Sequence, residues 1–117
     1  MTMSRRRSLG TAQIGMRMMN IFVRGSLGTP TIAPLGFDRL NVKSITRTSA
    51  GIYVITFKTA FIRNVTPFIQ NTSVAIVAPT ITSASATSVT VRNMTAAADF
   101  DFNLLVIGSE FGYDVAG

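Results

Sequence analysis

Residues 41–58 read NVKSITRTSAGIYVITFK, and this stretch decides the fold. It is rich in β-branched and aromatic residues, which is typical of strands, and one short polar segment interrupts it. Gly51 closes that segment and adopts a positive φ at no steric cost, as a tight turn requires. We therefore predict strands over 41–47 and 52–58 that pair as an antiparallel hairpin. The candidate inner positions are Val42 and Ile45 in the first strand and Tyr53, Ile55 and Phe57 on one face of the second.

Shorter strand-like segments follow this hairpin. They cover residues 68–70, 73–77, 87–92 and 101–107, and turn signals or alanine-rich segments separate them. We expect Pro79 to stop the strand over 73–77 from continuing further. Several short strands with turns between them predict an all-β fold, a small antiparallel β-sandwich of jelly-roll-like type.

The N-terminal third differs in pattern from the rest of the chain. We predict an N-terminal arm and linker over residues 1–36 and the β-sandwich domain over residues 37–117. Within the arm, apolar residues recur at helical spacing, although two glycines weaken a helix. The arm is therefore expected to be extended or partly helical. The residues at helical spacing are Leu9, Ala12, Met16, Met19 and Val23.

The charge of the chain is unevenly distributed. The 117 residues carry a formal net charge of +6. Residues 1–63 hold ten of the eleven Lys and Arg residues and one acid, giving +9, whereas residues 64–117 sum to −3. Such polarity favours contacts with an anionic partner, or with the acidic end of a neighbouring subunit.

Composition excludes several classes of function. The chain has no Cys and no His, so it lacks thiol nucleophiles, disulfides, the usual general base near neutral pH and the commonest metal ligand. We expect a protein that is not an enzyme and uses no cofactor. Apolar residues make up 47% and charged residues 14%, which indicates a folded chain that buries further apolar surface against other copies. Because no apolar run approaches about 20 residues, we expect no membrane-spanning helix.

The basic arm is the main candidate binding segment. We expect it to dock on a neighbouring subunit, with packing on its own domain and contact with nucleic acid as the alternatives. Three consecutive arginines could neutralise phosphates, but Phe22 and Phe37 are the only rings before Tyr53, which argues against a base-stacking surface. The candidate partner-binding residues are Arg5, Arg6, Arg7, Leu9, Met16, Arg17, Met19, Ile21, Phe22 and Arg24.

The acidic residues near the C-terminus suggest a second hypothesis. Asp99 and Asp101 are two residues apart, so in a strand they face the same side. Together with Glu110 or Asp114 they could hold a calcium ion through carboxylate oxygens. The alternative is a solvated loop edge, or salt bridges to the basic half of a neighbour.

Two stretches carry a resemblance to a known class of proteins. Residues 47–57, RTSAGIYVITF, resemble the R-x-x-x-G-x-Y-x-V/I-x-F hairpin that opens a small β-sandwich in virion proteins of tailed bacteriophages. Residues 99–108, DFDFNLLVIG, resemble the last strand of the same modules, so the resemblance covers about 40–108. It implies a trimeric structural protein, either a capsid cement or decoration protein or part of a head or tail fibre, with no catalytic residues.

These observations together favour a capsid cement or decoration protein. We expect a homotrimer located in the virion, on the capsid surface or the tail, whose arm binds the major capsid protein or another virion protein. Deleting residues 1–24 is expected to abolish particle binding and leave the sandwich folded. The alternatives are a fibre or tail-tip module that contacts a host receptor, a basic nucleic-acid-binding protein and a small β-sandwich enzyme.

Overall fold

The computed structural model describes residues 15–73 and 77–109. These residues form two antiparallel sheets packed face to face, one of three strands in the order β1-β7-β4 and one of four strands in the order β2-β3-β6-β5. The prediction of a small antiparallel β-sandwich is confirmed. The strands are β1 (Met16–Arg24), β2 (Val42–Ser49), β3 (Ile52–Phe57), β4 (Arg63–Asn71), β5 (Pro79–Ala84), β6 (Ser88–Asn93) and β7 (Asp101–Ser109).

The predicted hairpin is formed by β2 and β3. Gly51 sits in its turn with φ of 77°, in the left-handed region that favours glycine. A shift of register between Val42 and Ser44 bulges β2. Because a bulge adds one residue to one strand, Val42 and Ile45 are both buried although they are three residues apart.

The core lies between the two sheets. Tyr53 contacts Phe100 and Phe102, with ring centroids 5.7 and 5.5 Å away, and the two phenylalanine rings are 5.1 Å apart. These three fully buried rings fill one end of the sandwich, and aliphatic side chains fill the middle. The buried apolar residues are Met19, Ile21, Val23, Ile32, Val42, Ile45, Tyr53, Ile55, Phe57, Phe61, Val89, Val91, Phe100, Phe102, Leu104 and Val106.

Residues 16–24 correct the prediction for the N-terminal arm. They form β1, which pairs with β7 along its whole length, so the helical reading is wrong there and the extended alternative is right. The reason is that these residues also fit the period of a strand. Met19, Ile21 and Val23 alternate along β1, and all three are completely buried in the core between the sheets. The boundary between residues 36 and 37 is therefore wrong, because β1 belongs to the sandwich. Residues 1–14 lie outside the described part of the chain.

A segment without regular structure, the strap (residues 30–38), links the two sheets along one side. The amide of Ile32 donates to the carbonyl of Ile45 in β2 at 3.1 Å. Leu35 and Phe22 in β1 exchange two backbone hydrogen bonds of 2.9 and 3.0 Å. The strap thus provides hydrogen-bond partners for backbone groups of β1 and β2, and its own Ile32 is buried.

Two later strands differ from the prediction. β4 covers 63–71 rather than 68–70. β5, which begins at Pro79, was not predicted, and the strand predicted over 73–77 falls partly on residues 74–76, which lie outside the described part of the chain. Proline is compatible with the first position of an edge strand, because its missing N–H then costs no ladder hydrogen bond. Within 15–73 and 77–109, no helix has the length and apolar character needed to cross a membrane.

Candidate assembly surface

Asp99 joins the segment before β7 to the β2–β3 hairpin, whose contacting residues lie 46 to 52 positions earlier in the sequence. Its carboxylate accepts hydrogen bonds from Nε of Arg47 at 2.9 and 3.0 Å, from the amide of Gly51 at 2.8 Å and from the hydroxyl of Tyr53 at 2.7 Å. The side chains of Arg47 and Asp99 are 25% and 18% exposed, so this ion pair is largely shielded from water. Together with Gly25, described next, these residues form what we call the Asp99 cluster.

The hydroxyl of Tyr53 connects the cluster to the core. It accepts a hydrogen bond from the amide of Phe100 at 3.2 Å, and the carbonyl of Gly25 lies 3.2 Å away as a second acceptor for its proton. A Cβ atom on Gly25 would lie 2.5 Å from this hydroxyl oxygen, so only glycine fits there. The cluster therefore fastens the segment after β1 and the segment before β7 to the β2–β3 hairpin.

The cluster shifts the pKa of each of its ionisable groups. Burial raises the pKa of Asp99, but hydrogen bonds from Arg47, Gly51 and Tyr53 outweigh burial and leave that pKa below its ordinary value. Burial, followed by the hydrogen bond to the carboxylate, raises the pKa of Tyr53 far above its ordinary value. The hydrogen bond to Asp99 raises the pKa of Arg47. The folded state thus favours the ionised carboxylate and the protonated phenol.

Stability is expected to fall in acid because of Asp99. A carboxyl whose folded pKa is lowered stabilises the fold fully above its unfolded value of 3.8, and this contribution is lost as pH falls through the folded pKa. The measurement is the free energy of unfolding in urea, from pH 6 to pH 2. D99N should show a shallower acid slope than the parent chain. Equal slopes for D99N and the parent would contradict this role of Asp99.

The two aspartates of the calcium hypothesis form hydrogen bonds with other groups of the chain. Asp99 forms its salt bridge with Arg47 of its own chain. Oδ1 of Asp101 accepts a hydrogen bond from the amide of Ser26 at 2.9 Å. In the part of the chain that the structure describes, no three His, Cys, Asp or Glu residues come together as a metal site. Glu110 and Asp114 lie outside that part.

The outer face of the three-stranded sheet is apolar, and we call it the apolar face. Directly opposed residues of antiparallel strands point to the same side of a sheet. Met18 lies opposite Ile107, and Phe68 lies opposite Leu105. Since the alternate residues of β1 and β7 are buried, these side chains point away from the core. The large apolar members of the face are Met16, Met18, Phe22, Phe68, Leu105 and Ile107.

Leu35 of the strap extends the apolar face beyond β1, because it bridges Phe22 directly. Three members of the face, Met16, Met18 and Phe68, are 67%, 60% and 52% exposed, and Leu35 is 37% exposed. The nine central positions carry no charge: they are Met18, Asn20, Phe22, Thr66, Phe68, Gln70, Asn103, Leu105 and Ile107. A face that combines apolar side chains with uncharged amides is typical of a protein interface.

A shallow groove of about 200 Å³ lies on the apolar face. Asn20 of β1 lines one side, Phe68 and Gln70 of β4 line the other, and Asn103 and Leu105 of β7 also contribute to it. The face therefore has a ridge on β4 beside a depression over β7. Such a depression can receive a large side chain from a partner.

Nine of the ten predicted partner-binding residues separate into three groups. Met16 and Phe22 lie on the apolar face, and Arg24 is exposed at its end. Met19 and Ile21 are fully buried in their own domain, so the expectation that they fill grooves on a partner is wrong. The remaining four, Arg5, Arg6, Arg7 and Leu9, lie outside the described residues.

Arg17 has an internal role as well. Its guanidinium carbon lies 4.1 Å from the ring centroid of Phe61, and Nη2 donates to the carbonyl of Thr59 at 2.6 Å. Arg17 shares the inward side of β1 with Met19, and its charge is placed over an aromatic ring. It supports the end of the sandwich rather than presenting its charge to a partner.

Sequence reasoning missed Met18, Phe68, Leu105 and Ile107 as surface residues with a common role. One signal was available: the run Leu104–Ile107 places apolar residues on both faces of a strand, as in sheets that are covered on both sides. Phe68 had no such signal, because its relation to Leu105 depends on the pairing of β4 with β7.

Known proteins provide no direct guide to this surface. No family model, no curated protein and no solved structure matches the chain. The function is therefore argued from the geometry of the apolar face, from the Asp99 cluster and from the sequence resemblance.

Proposed function

We propose that this chain is a non-enzymatic structural protein of a virion, most simply a capsid cement or decoration protein that acts as a homotrimer. The observation that carries the proposal is the apolar face, where exposed apolar side chains of β1 and β4 lie side by side on one sheet. Its central positions hold no ionisable side chain that could act as an acid, a base or a nucleophile. A surface of this kind supports assembly rather than catalysis.

The Asp99 cluster supports the same proposal in another way. The R-x-x-x-G-x-Y part of the resemblance corresponds to Arg47, Gly51 and Tyr53, and the second resembling stretch begins at Asp99. All four residues meet in one hydrogen-bond network. The resembling residues thus share a structural task, the fastening of the domain. This is what we expect of a module that is used for its rigidity.

Mechanistically, a cement protein adds buried interface between capsid subunits and so resists the pressure of packaged DNA. In this proposal the domain contributes the rigid body and residues 1–14 contribute the basic contact. Arg5, Arg6 and Arg7 would pair with an acidic capsid surface, and Leu9 would fill an apolar groove. The binding segment is thus shorter than the predicted arm, because β1 is part of the fold.

Purified particles test this proposal. Virions are isolated on density gradients from a phage that encodes the chain, and quantitative mass spectrometry measures its copy number relative to the major capsid protein. We expect the chain to co-sediment with full heads at a fixed ratio. Particles made with a chain lacking residues 1–14 should lose it and should release DNA at lower temperature.

Labelling by antibody in electron microscopy then locates the chain on the particle. A label over the head surface agrees with a cement or decoration protein. A label confined to the tail would replace that assignment with the fibre or tail-tip alternative. Absence of the chain from purified particles would contradict the virion proposal altogether.

A further inference from the structure

We propose that the apolar face binds a second copy of this chain, and that Phe68 of one copy enters the groove of the next. This inference deepens the proposed function, which rests on association of copies, by naming the surface and the side chain that join them. Three properties of the apolar face support the inference: its area, its lack of charge and its surface shape.

The area of the apolar face is that of a standard interface. The exposed fractions of its four most exposed apolar side chains add up to about two fully exposed side chains. At about 200 Å² for each large side chain, these four expose about 400 Å² of surface. A stable interface buries about 800 Å² per partner, of which about 60% is apolar. The half-buried Phe22, Leu105 and Ile107, together with the amides around them, account for the remainder.

The lack of charge identifies the occupant as another copy. The chain is strongly basic overall, and its Lys and Arg residues are concentrated before residue 64. An anionic partner would be attracted to those basic surfaces, whereas the centre of the apolar face offers it no cation. A second apolar face matches in area, polarity and neutrality, because the two surfaces are the same.

The shape of the apolar face, a ridge on β4 beside a depression over β7, determines how two copies would fit together. Phe68 is 52% exposed on the β4 side of the groove, and the groove floor over β7 includes Leu105. When two faces meet with a lateral offset of one strand, Phe68 of one copy lies over β7 of the other. Buried aromatic anchors in pockets contribute most of the energy of protein interfaces. Repeated head to tail around a threefold axis, with Phe68 of each copy in the groove of the next, this contact closes a ring of three.

Native mass of the full chain tests the inference. Multi-angle light scattering and sedimentation velocity are run over a dilution series of the parent chain, of F68E and of M94E. Met94 is the matched control, since it is also an exposed apolar residue, at 56%, but follows β6 of the other sheet. We expect the parent chain and M94E to be multimeric, and F68E to dissociate at least about 30-fold more readily.

Folding of each variant is checked by circular dichroism and by its unfolding midpoint. Because Phe68 is half exposed, F68E should keep the parent midpoint once dissociation is taken into account. M18E, which alters the same face from β1, should also dissociate, and it provides a second route if F68E does not fold.

Two outcomes would overturn the inference. One is a parent chain that stays monomeric at every concentration. This includes a chain that becomes multimeric only after residues 1–14 are removed, because its own N-terminal segment would then be the partner that covers the face. The other is a multimer that F68E and M18E both leave intact. A monomer that still binds virions would refute self-association, and with it the homotrimer, but would leave the assignment to the virion standing, whereas a Phe68-dependent multimer absent from virions would do the reverse.

Discussion

Replacing Asp99 by alanine is expected to lower the free energy of unfolding by about 3 kcal/mol, because two partly buried donors lose their acceptor. These donors are the amide of Gly51 and the hydroxyl of Tyr53, and the second retains only the more distant carbonyl of Gly25. Urea unfolding followed by circular dichroism measures the effect. For a domain of this size the corresponding fall in Tm is about 10 °C.

Asp101 provides the matched control for this prediction. It is an aspartate two residues away, and its carboxylate accepts a hydrogen bond from the exposed amide of Ser26. D101A should therefore cost about 1 kcal/mol. If D99A and D101A lower the free energy of unfolding equally, the Asp99 cluster does not fasten the fold in the way that its geometry indicates.

Deleting residues 1–24 is expected to unfold the domain, whereas deleting residues 1–14 is not. The longer deletion removes β1 and with it the buried side chains of Met19, Ile21 and Val23. Burial of three such side chains contributes about 6 kcal/mol, which is comparable to the whole stability of a small domain. It also exposes Phe102, Leu104 and Val106 of β7, which β1 helps to cover.

Far-UV circular dichroism and the dispersion of amide signals in proton–nitrogen NMR spectra distinguish the two deletions. The chain that begins at residue 15 should unfold cooperatively, and the chain that begins at residue 25 should not. Cooperative unfolding of the shorter chain would contradict the structural role of β1. This result also decides which deletion is valid in a particle-binding experiment, because loss of binding by an unfolded chain carries no information about the arm.

The β2–β3 hairpin was predictable because its information is local. Alternation in residues 52–57 and a glycine that tolerates positive φ define the strand and the turn within one short window. The later strand β6 followed from the same alternation, whereas β7 was predicted from a strand-like run that is apolar on both faces and ends at Gly108. The two register shifts of the hairpin, between Val42 and Ser44 and between Arg47 and Ser49, required the pairing itself to be known.

β1 was misread because two periods coincide in its sequence. Met16, Met19 and Val23 fit a helix, whereas Met19, Ile21 and Val23 fit a strand. The choice depends on β7, which lies more than seventy residues away in the chain and offers a ladder of nine residue pairs. Local propensity cannot contain that information, so tertiary pairing decided the structure.

The functional features were less predictable than the fold. The Asp99 cluster connects residues separated by 46 to 52 positions, and sequence spacing does not indicate such contacts. The apolar face depends on the register of β4 with β7, which places Phe68 beside Leu105. Sequence reasoning identified Arg47, Tyr53 and Asp99 as notable positions, but only the fold reveals that they act together.

The strap has a consequence for how many copies can join through their strand edges. A sheet with open edges on both sides can add a copy at each side and polymerise into a fibre. The strap occupies the middle of β1 and β2, so the opposite side, with β4 and β5, is the one left for edge pairing. Growth through strand edges on one side only cannot extend in two opposite directions. A protein concentrated on a particle surface would thereby form discrete complexes instead of amyloid-like filaments.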